Sequence, residues 1–355
     1  MLFPYTYVPH QIEKMQVFID FIFNEVWCKA PGNGVFHPDL FNGNPELKEV
    51  MVLFNYGDTK GGDFFYSHVE RIYHLFAALD PIEIAELKQW YRANNNIEKI
   101  CSNDPAVLIT RYAEMEALHP ELSKQLESFF KGLYSQDLLH LATLRQKVGN
   151  IDDHYKKFME VNNTGKCPFC GISDIRGIHH TKRDAYDHYL PKALYPFNTI
   201  NFHNLAPTCN ECNSTYKLSK DSARNTSGRR KAFYPYAKSG QSIELKIDLA
   251  KSDIDKLDPA DIQISFGPSV IKEEIETWKD VYDIEERYKA KCCSGDAKDW
   301  IEKVRILQDE YRIKPADYIT SLQQQPKRDP FANNNFLERA FLEACNRRGL
   351  FTPTQ

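Results

Sequence analysis

The sequence predicts a mainly α-helical protein with a small central module stapled by metal, followed by an α+β C-terminal region. Three observations predict it. Apolar residues recur at three-to-four spacing through most of the first 160 residues. Two Cys-x-x-Cys pairs, Cys167/Cys170 and Cys209/Cys212, then bracket a stretch rich in His, Asn and Lys. Beyond it, two segments of alternating apolar residues give way to further helical patterns. At 355 residues the chain exceeds what one core usually fills. The expected division is a helical N-terminal domain over 1–160, the module over 161–235 and an α+β domain over 236–355.

The N-terminal helices are expected in QIEKMQVFIDFIFNEVW, FFYSHVERIYHLFAAL and the long stretch ELSKQLESFFKGLYSQDLLHLATLRQKV. Asp80-Pro81 has the form of an N-cap followed by proline at the first helical position. The Gly-, Pro- and Asn-rich residues from Ala30 to Pro45, and those from Gly57 to Asp63, read as loops. In the C-terminal region SIELKIDLA and DIQISFG read as strands. VIKEEIETWKDVYDIEERYKAK, DAKDWIEKVRILQDEYR and FLERAFLEACNRRG read as helices, the last closed by Gly349.

Composition narrows the function classes. With 42% hydrophobic and 13% aromatic residues the chain has enough apolar surface to fold, which excludes a disordered protein. No stretch approaches 18 consecutive apolar residues, so no membrane span is expected. MLFPYTYVPHQIEK lacks the basic-then-apolar order of a secretory signal, so a cytoplasmic location with reduced thiols is expected. The net charge of −4 does not suggest a nucleic-acid partner, but its distribution does. Residues 163–232 carry 11 Lys and Arg against 5 Asp and Glu, a basic island in an acidic chain.

Four thiolates in two Cys-x-x-Cys knuckles suit tetrahedral Zn²⁺ with no open coordination position, which makes the expected zinc structural. Cys28, Cys101, Cys292, Cys293 and Cys345 have no such partners and read as small buried hydrophobes.

Between the knuckles stand Asp187-His188 in YDHYLPK and Asn204-Leu205 in NLAPTC, with Asn213 directly after Cys212 and Lys217 four residues later. This order resembles the HNH, or ββα-metal, endonuclease family, in the subset stapled by a four-cysteine zinc site and in its His-Asn-Asn variant. The resemblance covers roughly 55 residues. It implies a hairpin whose first strand ends in Asp187-His188 and whose second begins at Asn204-Leu205, followed by a helix opened by Asn213. It further implies phosphodiester hydrolysis. His188, neutral near physiological pH, takes a proton from water. Asp187, on the opposite face of the strand, and Asn213 hold Mg²⁺ or Mn²⁺. Asn204 fixes the hairpin and orients His188, while Lys217 and Lys192 meet phosphate. His179, His180 and His203 are expected to serve packing or phosphate contacts.

Downstream, RNTSGRRKAFYPY places Arg224, Arg229, Arg230 and Lys231 near Tyr234 and Tyr236. Such a stretch can track a phosphate backbone and stack on bases, or be a basic linker. The expected function is a DNA endonuclease. The alternative is a zinc-ribbon binding or adaptor subunit that does not cut. The context DHYLPKALYP…NLAPTCNECN also resembles HNH proteins of bacterial anti-phage defence, including the nuclease subunit of the Septu system, which works beside an ATPase. That implies activity gated by such a partner.

Overall fold

The computed structural model describes residues 1–324 and 332–351. The chain is mainly helical, with three two-stranded sheets among the described residues. Its N-terminal helices form because their apolar stripes have somewhere to go. Lys60–Phe76 buries Phe65, Val69, Ile72 and Phe76 against Leu122, Leu126, Phe129 and Leu133 of Pro120–Leu133. Asp80 caps Pro81–Asn94, accepting from the amides of Ile82 and Glu83 at 2.7 and 2.9 Å, while Glu83 returns a bond to the Asp80 amide.

Several expected boundaries shift, each for a physical reason. The stretch read as a loop from Gly57 to Asp63 joins a helix at Lys60, because Thr59 caps it and Gly61 and Gly62 pack too closely to carry a Cβ. Ala30 to Pro45 contains two short helical turns, Ala30–Asn33 and Pro38–Phe41. The long helix expected over 121–148 is three pieces, Pro120–Leu133, Gln136–Leu139 and Ala142–Val148. The helix expected over 270–291 breaks at Asp283, which adopts a left-handed conformation with φ 48° between Lys272–Tyr282 and Ile284–Cys292.

The two hydrophobic cores cut across the expected division. The first unites the helices between Met15 and Val148. The second joins the extended N-terminal segment, Ile97–Cys101, Ile151–Val161, the cysteine segment and the C-terminal elements. In the C-terminal region Glu244–Leu249 pairs antiparallel with Ile262–Gly267, and Asn335–Arg347 lies across the ribbon. This region grips the cysteine segment directly: Trp278 Nε1 donates to the Phe169 carbonyl at 2.6 Å, and Tyr288 Oη to that of Cys170 at 2.9 Å.

The first core also reaches into the central segment. Phe197, at φ 80°, lies 5.5, 5.2 and 5.4 Å from the rings of Phe23, Tyr91 and Phe130. Asn94 accepts the Thr110 amide and donates to the Pro196 carbonyl, and Asn198 donates back to the Asn94 carbonyl. The loop 196–201 is thereby riveted to the helical half.

Candidate functional site

The four Sγ atoms of Cys167, Cys170, Cys209 and Cys212 all lie within 4.8 Å of one another, and all four residues are buried. Cys167 to Cys212 spans 4.0 Å and Cys170 to Cys209 3.9 Å. A tetrahedron with Zn–S near 2.3 Å has edges of about 3.8 Å, so the cluster can hold a metal ion such as zinc. The first knuckle turns at Gly171, whose amide donates to the Cys167 carbonyl at 2.7 Å. Its φ of 68°, and the Leu2 side chain 2.3 Å from where a Cβ would sit, both require glycine. Arg287 approaches from the C-terminal region and donates to Cys212 Sγ at 3.1 Å and to Glu211 at 3.2 Å, with its guanidinium 4.4 Å from the Tyr216 ring centre. Burial works against its charge, but the thiolates of Cys212 and Cys170 outweigh it and hold Arg287 firmly protonated.

Between the knuckles, Ala185–His188 pairs antiparallel with Leu205–Thr208, setting Asp187 opposite Ala206 and His188 opposite Leu205. A helical segment, Glu211–Lys217, follows. Asn204, fully buried just before the second strand, accepts the Leu190 amide at 2.7 Å. It also donates to the carbonyls of Leu190 and Asn198 at 3.1 and 3.3 Å. It thus closes the 15-residue excursion between His188 and itself at both ends.

That closure places His188. Its Nε2 lies 3.0 Å from the Thr199 carbonyl, so Nε2 carries the proton and Nδ1 the lone pair. Nδ1 makes no hydrogen bond among the described residues. The Tyr134 ring stands edge-on to the imidazole at 4.8 Å. Burial, then the charges of Lys192 and Lys217, push the His188 pKa down to about 3 against the opposing pull of the Thr199 carbonyl. The imidazole is therefore neutral at physiological pH.

Asp187 is turned inward. Lys217 Nζ donates to its Oδ1 at 2.9 Å and to the His188 carbonyl at 2.8 Å, and the Lys217 and Asp187 side chains are 1% and 3% exposed. Burial raises the Asp187 pKa, and Lys217 opposes the rise. The Tyr282 hydroxyl faces the carboxylate and helps keep it ionised without reaching hydrogen-bond geometry, so Oδ2 is buried with no bond.

Several expectations are corrected here. Lys217 does not face phosphate: its ammonium is spent on Asp187. Asn213 does not open the helix but is its third residue, half-buried, with no side-chain hydrogen bond among the described residues. The basic stretch is neither a linker nor a free phosphate track. Arg224 pairs with Glu114, Arg230 with Asp280, and Arg229 donates to the carbonyls of Asp104 and Val107 at 3.0 and 2.7 Å. Lys231 remains exposed and Lys192 half-buried, its ammonium 5.5 Å from the Tyr134 ring centre. Tyr236 is buried and donates to the Leu205 carbonyl, which removes it as a stacking platform. His203 is exposed and stacks on Tyr7 at 4.1 Å, while His179 and His180 are exposed. Much of the basic island is neutralised within the chain, Lys166, Arg176, Arg183 and Lys220 also being paired with carboxylates.

Sequence reasoning missed Thr199, Tyr134, Phe197, Tyr282 and Arg287. None lies in a recognisable motif, and each reaches the site from a distant element or through a loop. No protein-family model, curated protein or solved structure matches this chain. No helix among the described residues is long and apolar enough to cross a membrane.

Proposed function

We propose that this chain is an HNH-type endonuclease that hydrolyses phosphodiester bonds in duplex DNA, on a module stapled by zinc. The observation that carries the reading is the placement of His188. Its Nε2 proton is committed to the Thr199 carbonyl, so Nδ1 can accept a proton from water as that water's oxygen bonds to phosphorus and the leaving oxygen departs. The base is neutral, and its tautomer is fixed by the Thr199 carbonyl, in a loop that Asn204 anchors at Asn198 and Phe197 anchors in the helical core. Lys192, whose charge reaches His188 and whose ammonium lies 3.5 Å from the Lys131 carbonyl, is a cation that can meet the phosphate. Zinc, where bound, supplies a staple and no chemistry.

The resemblance to HNH enzymes also assigns Mg²⁺ or Mn²⁺ to Asp187 and Asn213. These residues do not fit such an ion as they are arranged. Lys217 occupies Asp187 Oδ1, the carboxylate is almost wholly enclosed, and the four cysteines are the one metal-capable group of His, Cys, Asp or Glu among the described residues. The step assigned to His188 is therefore derived without it.

The test is cleavage of supercoiled plasmid, single-stranded DNA and RNA in parallel, with Mg²⁺ or Mn²⁺, beside His188→Ala. General bases contribute roughly 10²- to 10⁴-fold, so the variant should lose at least about 100-fold in rate. Plasmid cleavage that survives the substitution overturns the reading. The occupation of Asp187 by Lys217 favours a second reading, a non-catalytic nucleic-acid-binding or adaptor subunit. Plasmid retained on the protein but never cut, by wild type and variant alike, selects it. The acidic flanks support gating by a partner such as an ATPase of an anti-phage defence module. A chain that alone cuts as fast as with such a partner removes the gating.

A further inference from the structure

We propose that Tyr134 is a positioning residue, the side chain by which the helical half of the molecule holds the His188 imidazole and the Lys192 ammonium in one fixed arrangement. Its purpose rests on the nuclease reading; the arrangement itself does not.

A single hydrogen bond does not immobilise an imidazole. The Nε2 bond to the Thr199 carbonyl at 3.0 Å fixes the tautomer, yet the ring is free to tilt about that bond, because the last torsion of a histidine is only broadly restrained. Tyr134 supplies a second restraint. The two rings stand 4.8 Å apart, centre to centre, with 83° between their planes, a favoured geometry for an aromatic pair. The Tyr134 ring centre is also 5.5 Å from Lys192 Nζ, within the range where an aromatic face attracts a cation. The Lys131 carbonyl, three residues before Tyr134, lies 3.5 Å from the same ammonium. Base and cation therefore share one aromatic neighbour, and both are referred to one helix end.

That helix end is a firm mount. Tyr134 caps Pro120–Leu133 directly. Two residues earlier, Gly132 packs so closely that a Cβ there would collide with the Phe64 ring. One turn earlier, Phe130 lies on the same side of the helix and meets Phe197 at 5.4 Å, in the loop that presents Thr199. The helix end thus touches the imidazole through Tyr134 and braces the loop that holds its proton through Phe130.

The ring is the working part of Tyr134. Its hydroxyl is buried without a hydrogen bond, and the Arg183 guanidinium whose charge reaches it is bonded to Asp152 at 2.6 Å and to the Asp184 carbonyl at 3.2 Å. A hydroxyl with no partner places nothing, so phenylalanine should do the work of tyrosine. Leucine and methionine fill space but offer neither a right-angled ring contact nor an aromatic face for the ammonium.

The deciding measurement is the exchange with water of the His188 Nε2 proton, followed by NMR on full-length, zinc-loaded protein labelled with ¹⁵N at histidine. The resonance is identified by its absence from His188→Ala. Tyr134→Leu should exchange that proton at least about tenfold faster than wild type, or broaden it beyond detection, because the ring leaves the Thr199 carbonyl more often. Tyr134→Met carries the measurement where the leucine variant does not fold, and Tyr134→Phe should restore the wild-type resonance. Wild-type exchange in a folded leucine or methionine variant overturns the proposal. So does loss of the resonance in Tyr134→Phe, or a wild type that shows no protected proton at His188. On supercoiled plasmid the leucine and methionine variants should lose roughly 10- to 100-fold in kcat with KM unchanged, the cost of a displaced base, and Tyr134→Phe should recover most of it. A leucine variant that cuts as fast as wild type also overturns the proposal. A wild type that never cuts overturns the nuclease reading alone, and the NMR result then decides whether Tyr134 positions His188.

Discussion

Arg287→Met tests how far the C-terminal region maintains the cysteine cluster. A zinc ion bound by four thiolates carries net negative charge in a buried site, and Arg287 is the guanidinium placed against it. Its side chain is 3% exposed, so its bond to Cys212 Sγ at 3.1 Å is scarcely screened by water. Hydrogen bonds to charged groups contribute about 1.5–3 kcal/mol. At 1.4 kcal/mol per tenfold, losing that bond should weaken zinc affinity roughly 10- to 100-fold. The substitution also removes the contacts to Glu211 and the Tyr282 carbonyl, while methionine retains much of the buried aliphatic length. Zinc release would be followed by competition with a chromophoric chelator, with circular dichroism reporting folding in parallel. Arg287→Lys should lie between wild type and Met, since an ammonium retains the charge but cannot make the planar fork of contacts. A folded methionine variant that releases zinc at the same chelator concentration as wild type would refute the reasoning.

Two further predictions concern stability. His154 is buried, with Nδ1 2.5 Å from the Tyr186 hydroxyl and Nε2 3.2 Å from the Val8 carbonyl; burial pushes its pKa down to about 4, the nearby His10 and Lys157 adding to the fall and the Val8 carbonyl opposing it. Its contribution is complete above the unfolded value near 6.5 and is lost as pH falls toward 4, because there only the unfolded chain takes the proton; the loss reaches about 3 kcal/mol. His154→Gln should flatten that limb when urea midpoints at pH 7 and pH 4.5 are compared with those of wild type, in which the cysteine cluster titrates equally; an unchanged slope would exclude His154 as the cause. Gly61→Ala places a Cβ 2.5 Å from the Asp137 carbonyl oxygen and 2.9 Å from Leu141, so it should cost about 1–3 kcal/mol despite alanine's better helix propensity. A variant as stable as wild type in a urea melt would show that the approach relaxes freely.

The sequence was most legible where function depends on local spacing. Cys167/Cys170 and Cys209/Cys212 announced a tetrahedral cluster because each knuckle is set by three consecutive peptide units, and the structure gathers all four sulfurs. Apolar periodicity announced helices because the stripe is a property of one segment. It failed where a segment's neighbours overrule it: Gly57 to Asp63 resembled a loop because Gly61 and Gly62 are there for close packing against another element.

The chain by itself determined the residue types that can do chemistry and the order in which they occur. Asp187, His188, Asn204 and Asn213 were all visible as candidates, and Asn204's tie to the hairpin could be anticipated from its place before the second strand. Which direction each charge faces was decided only by the tertiary structure. Lys217, Arg229 and Arg230 look alike in sequence as basic residues near a candidate site, yet all three are turned into the molecule to meet Asp187, backbone carbonyls and Asp280. The reason is energetic: an ammonium or guanidinium will leave water only for a carboxylate or carbonyl already held at the right distance, and those partners come from segments 30 to 125 residues away.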